Sequence, residues 1–226
     1  MSLNNELKDI GNWLFRYRSY LPLLLLPLLI YSIYISQNSY THILFLLGLY
    51  TSIFGQIIRI ITIAYVPAGT SGRNTKKQIA SHLNQSGIYS IIRHPLYLGN
   101  FLMYLGPFIY SGNIFIILIF ILIFWIYYER IMYAEESFLS EKFGSEFDKW
   151  AYNTPAFIPK PSLYTASNLN FSIKKIFERE YTGICGLFIL FTIIIYLRNI
   201  FFNITPLLPI HWKYIALINI FIYTIL

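Results

Sequence analysis

Apolar residues gather along this chain into six blocks, near 20–36, 42–66, 96–110, 113–133, 183–202 and 207–226, with polar stretches between them. Within the blocks Ile, Leu and Phe follow one another without the period-two alternation of a membrane barrel strand. A spanning helix needs about 20 apolar residues, because about 30 Å of hydrocarbon is crossed at about 1.5 Å per residue. The pattern therefore predicts an all-α, polytopic helical membrane protein with about six membrane segments. Only Ser111 and Gly112 separate the third block from the fourth, which predicts a short helical hairpin. The chain then divides into N-terminal membrane helices over 1–66, a core of loop, hairpin and cytoplasmic helix over 67–159, and an interfacial helix with two further membrane helices over 160–226.

The polar stretches have their own pattern. In AGTSGRNTKKQ, Gly69 and Gly72 permit an irregular backbone ahead of a short helix expected from about Thr75 to Leu83. Arg73, Lys76 and Lys77 make this loop either an anion cradle or a solvated basic loop. After the hairpin, Tyr133, Glu136, Leu139 and Phe143 recur at helical spacing, so the fourth helix should extend into the cytoplasm and stop at Gly144. Pro155, Pro159 and Pro161 then break helix. Over 172–181, Ile173, Ile176 and Phe177 share one face and Lys174, Lys175 and Arg179 flank it, the pattern of an interfacial helix.

Composition strengthens the membrane assignment: 56% of the 226 residues are hydrophobic and 12% charged, against about a quarter charged in soluble domains. The formal charge of +7 lies mainly in 8–18, 73–93 and 130–179. By the bias of basic residues toward the cytoplasm, those regions and both termini are expected inside. The same charge suits anionic headgroups and gives no nucleic-acid domain. The one cysteine, Cys185, falls inside a predicted span and reads as a packing residue, and no Cys or His cluster suggests a metal. The first block holds Pro22 and Pro27 with no small-residue cleavage site after it, so it reads as a retained span. Gln56 and Arg59 interrupt the second block. Arg59 lies about 10 Å along a helix from Val66, close enough to snorkel to the boundary or to meet an anionic headgroup. The 20 Tyr and 19 Phe suit interfacial belts and packing.

Candidate chemistry concentrates at RHPLYLG, Arg93 to Gly99, and at the pair Glu135-Glu136 followed by EKFGSEFDKW. Pro95 keeps His94 out of helical geometry and suits the first turn of the next helix. That places Arg93 and His94 at a helix N-terminus, where free amides and a guanidinium can hold a carboxylate or phosphate. Gly99 and Gly106, seven apart, allow a ligand or a neighbouring helix close approach. Adjacent glutamates on a helix point about 100° apart and cannot converge on one atom. Different partners are therefore expected, one glutamate toward a ligand and the other toward Arg130 or Arg93. A headgroup anchor at Arg93-His94 and a solvated acidic face at Glu135-Glu136 are the structural alternatives.

RHPLYLG, the hairpin, EESFLSEKFG and TPAFIP together resemble the integral membrane methyltransferases that include isoprenylcysteine carboxyl methyltransferase and phospholipid N-methyltransferases. The resemblance covers roughly residues 86–159. It implies methyl transfer from S-adenosylmethionine to a membrane lipid or lipid-modified acceptor, a carboxylate, phosphate or amine, with the cofactor on the cytoplasmic side. It further implies a cofactor site of Arg93, His94, Tyr97, Gly99, Glu135 and Glu136, with Arg93, His94 and Glu136 catalytic. Substrate contacts are expected from Arg59, Arg73 and Trp150. Where many relatives carry tyrosines after the FG and an arginine near the proline, this chain has Phe147, Trp150 and Asn153. The alternatives are a nicotinamide-dependent membrane reductase of the sterol reductase type and a non-catalytic scaffold.

Overall fold

The computed structural model describes residues 2–36, 42–66 and 78–225. Among them every regular element is helical: α1 Leu3–Tyr17, α2 Leu21–Ile35, α3 His42–Ala64, α4 Pro95–Ser111, α5 Ile114–Phe143, α6 Ser145–Asn153, α7 Ile173–Phe201 and α8 Ile210–Ile225. A lone antiparallel bridge joins Gly87 to Thr165. Each of the six apolar blocks contains a helix. Of these, α3, α5 and α7 are individually long and apolar enough to cross a membrane, and Leu3–Tyr20 taken with Leu23–Ile35 gives a fourth candidate. At 17 and 16 residues, α4 and α8 are shorter than a straight span requires.

Local chemistry sets the element ends. Pro95 occupies the first turn of α4, where its missing N–H removes no helical bond. The α4–α5 turn uses Gly112 at φ 78°, and the Asn113 side chain accepts the Ile116 amide at 3.1 Å, capping α5. Gly144 adopts φ 53° between α5 and α6, a conformation that costs a residue with a Cβ 1 kcal/mol or more, of the order of ~1–2. That glycine ends α5 where the sequence predicts.

Two expectations are corrected. Residues 78–83 form no helix, so the short helix expected from Thr75 to Leu83 is absent over its described part. The interfacial segment at 172–181 is the first two turns of α7 itself, not a separate helix. The Ser172 amide and Lys175 Nζ bond the carbonyls of Ala64 and Val66, while Ile173 and Phe177 stay exposed. Gly69, Gly72, Arg73, Lys76 and Lys77 lie outside the described residues. α1 is an element that the hydrophobic blocks do not announce.

The chain clusters into two compact units, each drawing on all three stretches of the sequence. The first comprises Met1–Leu21, Ile58–Leu98 and Leu122–Arg179; the second comprises Pro22–Ile57, Gly99–Ile121 and Glu180–Leu226. In the second unit α3 and α4 meet through glycines: a Cβ on Gly48 would strike the Gly106 carbonyl, and one on Gly55 would strike the Gly99 carbonyl at 2.5 Å. Ser52 Oγ donates to the Met103 carbonyl at 2.9 Å in the same seam. Small residues let the two backbones approach, the usual basis of helix association in lipid. On the other side of α4, Phe108 stacks on Phe120 of α5 with ring centroids 4.5 Å apart, so the predicted hairpin is packed. Buried Gln56 donates to buried Glu180 at 2.8 Å, which explains a polar residue inside the α3 span.

Gly106→Ala is expected to cost about 1–3 kcal/mol and lower the melting temperature in detergent. Gly186→Ala, where nothing lies within 4 Å of the new methyl, should leave it unchanged. Equal melting of the two variants would rule out the glycine seam as a tight contact.

Candidate functional site

In the first unit, RHP and the acid pair come together although 42 positions separate His94 from Glu136. His94 precedes Pro95 and so stands just outside α4; Glu135 and Glu136 lie on the polar extension of α5. The His94 ring is buried between them. Its Nε2 is 2.8 Å from Glu136 Oε1 and its Nδ1 3.6 Å from Glu135 Oε2. Arg93 Nε approaches the same Glu136 oxygen at 2.9 Å. The two carboxylates therefore share one imidazole by taking opposite ring nitrogens, which the 100° between neighbouring helical positions permits.

Burial of the imidazole opposes protonation, but hydrogen bonds and charge from Glu135 and Glu136 outweigh it, and the His94 pKa is raised. His94 therefore holds a proton more readily than a free imidazole. Tyr97, one turn into α4, lies buried and parallel to the His94 ring, with centroids 5.7 Å apart, and packs against Tyr128 of α5 at 4.8 Å. Aromatic rings thereby cover the faces of the charge cluster that water would otherwise reach.

The strand-like stretch before α4 is tied to the proline segment after α6. The amides of Arg93 and His94 donate to the carbonyls of Pro155 and Ala156 at 2.9 and 3.1 Å, and the Lys160 amide donates to Ile91 O at 2.9 Å. Arg93 Nη1 donates to Ala151 O at 2.5 Å. Two amides just ahead of α4 are thus already bonded to carbonyls of the proline segment. Trp150 donates its indole N–H to Tyr89 O at 3.1 Å and packs edge-on against Phe147. It fastens α6 to the chain ahead of RHP.

Arg93, His94, Tyr97, Glu135 and Glu136 thus form one cluster. Gly99 belongs to the α3–α4 seam of the second unit. Arg59 is half-buried on α3, and Arg73 is outside the described residues. Sequence reasoning missed the carbonyls of Ala151, Pro155 and Ala156; the TPAFIP motif was the available signal. Glu135 and Glu136 keep 24% and 25% of their side-chain surface exposed. The cluster therefore offers carboxylate oxygens to incoming N–H or O–H groups, with the Arg93 guanidinium already engaged by Glu136 and Ala151 O. Among the described residues no group of three or more His, Cys, Asp or Glu side chains is arranged to hold a metal ion.

The family model for phospholipid methyltransferase matches residues 41–146. The chain is 33% identical over 108 residues to the protein-S-isoprenylcysteine O-methyltransferase of Schizosaccharomyces pombe, covering 46% of this chain and 45% of that protein. It is 34% identical over 127 residues to the Saccharomyces cerevisiae protein of the same name, covering 55% and 52%. It is also 36% identical over 89 residues to a nickel-cobalt-cadmium resistance protein of Alcaligenes xylosoxydans xylosoxydans, covering 39% and 41%. The chain spans about half the length of the curated relatives it matches, and no solved structure matches it. These matches do not favour a reductase or a scaffold; they show that the middle of the chain is similar to integral membrane phospholipid and isoprenylcysteine methyltransferases.

Proposed function

We propose that this chain transfers a methyl group from S-adenosylmethionine to an anionic group, a carboxylate or phosphate, on a membrane lipid or lipid-modified acceptor at the cytoplasmic side. The observation that supports this most is the His94 imidazole held between Glu135 and Glu136 with Arg93 alongside. The donor set fits the cofactor, which carries a carboxylate, an ammonium, ribose hydroxyls and a sulfonium. The exposed edges of Glu135 and Glu136 suit the ammonium or hydroxyls, and the Arg93 guanidinium, paired with Glu136, supplies positive charge that suits the carboxylate. When bound, the cofactor supplies a methyl group already activated by its sulfonium sulfur.

The protein's work is then alignment and exclusion of water. Arg93 and His94 fix the two carboxylates in place, and Tyr97 closes the buried side. Gly99 acts through the seam with α3, and Trp150 acts through its bond to Tyr89. Arg59 and Arg73 draw the anionic acceptor toward the site. An amine acceptor would first have to lose a proton. Both ring nitrogens of His94 already face carboxylates, and Glu136, its pKa lowered, already pairs with His94 and Arg93, so neither is a ready base. A carboxylate or phosphate needs no base.

Incubation of purified protein with methyl-labelled S-adenosylmethionine and total membrane lipid should place label on a carboxylate or phosphate. Label recovered in N-methylated headgroups would reject the anionic acceptor. Glu136→Gln should reduce transfer by on the order of 100-fold in protein that still melts cooperatively. S-adenosylmethionine should raise the melting temperature of the wild type and NADPH should not.

Because the His94 pKa is raised on folding, its stabilisation is full below the ordinary value of 6.5 and is lost as pH rises through the folded value. The melting-temperature gap between wild type and His94→Gln should therefore be widest in mild acid and shrink at alkaline pH. A gap independent of pH would contradict a protonated His94.

A further inference from the structure

α1 is too polar to cross a membrane, since its 15 residues include Glu6, Lys8, Asp9 and Arg16, yet it is not a loosely attached arm. One face is seated on α5. A Cβ at Gly11 would run into the Arg130 carbonyl and lie 2.8 Å from the Ala134 Cβ. Tyr127 donates its hydroxyl to the Leu14 carbonyl at 3.1 Å, Phe15 is buried, and Lys8 pairs with Glu141. A second face, with Asp9, Asn12 and Arg16, borders a cavity of about 500 Å³ that Trp13 and, from α5, Phe138 and Glu141 also line.

The third face is apolar and uncovered. At about 100° per residue, Leu3, Ile10, Trp13 and Tyr17 fall within a single arc of about 80°, and they are 68%, 39%, 59% and 47% exposed. Trp13 and Tyr17 touch, with centroids 4.9 Å apart, and Tyr20 continues the row. Single exposed apolar residues need no explanation, but a row of them ending in Trp and Tyr on a charged helix does. Three features identify what covers it. Trp and Tyr favour the headgroup region, where a ring can be half immersed. Arg16, exposed and adjacent to Tyr17 in sequence, complements anionic phosphates. The strongly apolar helix α2 follows directly in sequence, at Leu21, so the chain after the row is apolar enough to enter a bilayer.

We propose that α1 is a membrane-surface helix, with Leu3, Ile10, Trp13 and Tyr17 seated among anionic lipid headgroups while Gly11 holds it on α5. This inference does not depend on the methyl-transfer reading. It gives the first unit a fixed depth at the membrane edge, because Ala134, against which α1 rests, adjoins Glu135 in sequence.

The test places a spin label at Trp13→Cys or Asp9→Cys in a Cys185→Ala background, with the full chain reconstituted in phosphatidylcholine vesicles containing phosphatidylglycerol. The ratio of oxygen to aqueous nickel-complex accessibility should be several-fold higher at position 13 than at 9. Equal ratios would overturn the proposal by showing a solvated face. A position 13 shielded from both reagents would overturn it by showing a second copy or another protein there. Should either cysteine variant not fold, brominated phosphatidylglycerol should quench wild-type fluorescence more than that of Trp13→Phe, and identical quenching would equally overturn it.

Discussion

The cluster of Arg93, His94, Glu135 and Glu136 constrains everything else in the first unit. A guanidinium, an imidazole and two carboxylates sit where the chain passes from a polar segment into an apolar helix. Charges removed from water there are costly to leave unpaired, whereas close pairing returns most of that cost. Deleting one member of such a buried pair typically destabilises by about 3–5 kcal/mol, because its partner is left charged in an apolar setting. The cluster thus fixes the start of α4 against the extension of α5 and keeps both carboxylates aimed. A single interaction therefore has a folding role and a chemical one.

The same pairing limits what chemistry the cluster can perform. An imidazole whose two nitrogens already face carboxylates is better placed to position than to accept a proton, and so is a carboxylate already paired with an imidazole and a guanidinium. Within the methyltransferase reading, the residues then contribute geometry and electrostatics rather than proton transfer. An acceptor that arrives as an anion suits such a site. The methyl donor supplies the reactivity, so a site without an available base is no handicap.

The parts of this arrangement legible in the sequence are those set by local rules. Hydrophobic blocks reported the helices, Gly144 reported the end of α5, and Ser111-Gly112 reported the hairpin turn. The pairing of Arg93 with an acid was open to inference, since few cations are near enough in depth to match it. What stayed hidden depended on distant partners. The basic loop favours a helix from about Thr75 by propensity, but residues 78–83 are held otherwise. The 172–181 segment is amphipathic in isolation, yet nothing in its sequence separates it from the apolar run that continues as α7. α1 escaped notice because its apolar residues are spaced around a polar helix rather than gathered in a block, and only Gly11 against Arg130 and Ala134 shows which face is inward.

The proline segment shows how a long-range partner can be indispensable and still look like filler. Pro155 and Pro159 have no amide hydrogen, so the stretch between them is poor in donors while retaining all its carbonyls. Those of Pro155 and Ala156 accept the amides of Arg93 and His94, groups that a helix start leaves unsatisfied and that burial would make costly. Ala151 O accepts Arg93 Nη1, and Lys160 returns a donor to Ile91 O. The Arg93 side chain is thereby held between Ala151 O and Glu136 and contributes positive charge to the site. RHP and TPAFIP, some 60 positions apart, are two halves of one structure: the first supplies charge, and the second supplies the backbone acceptors that hold that charge in register with Glu135 and Glu136.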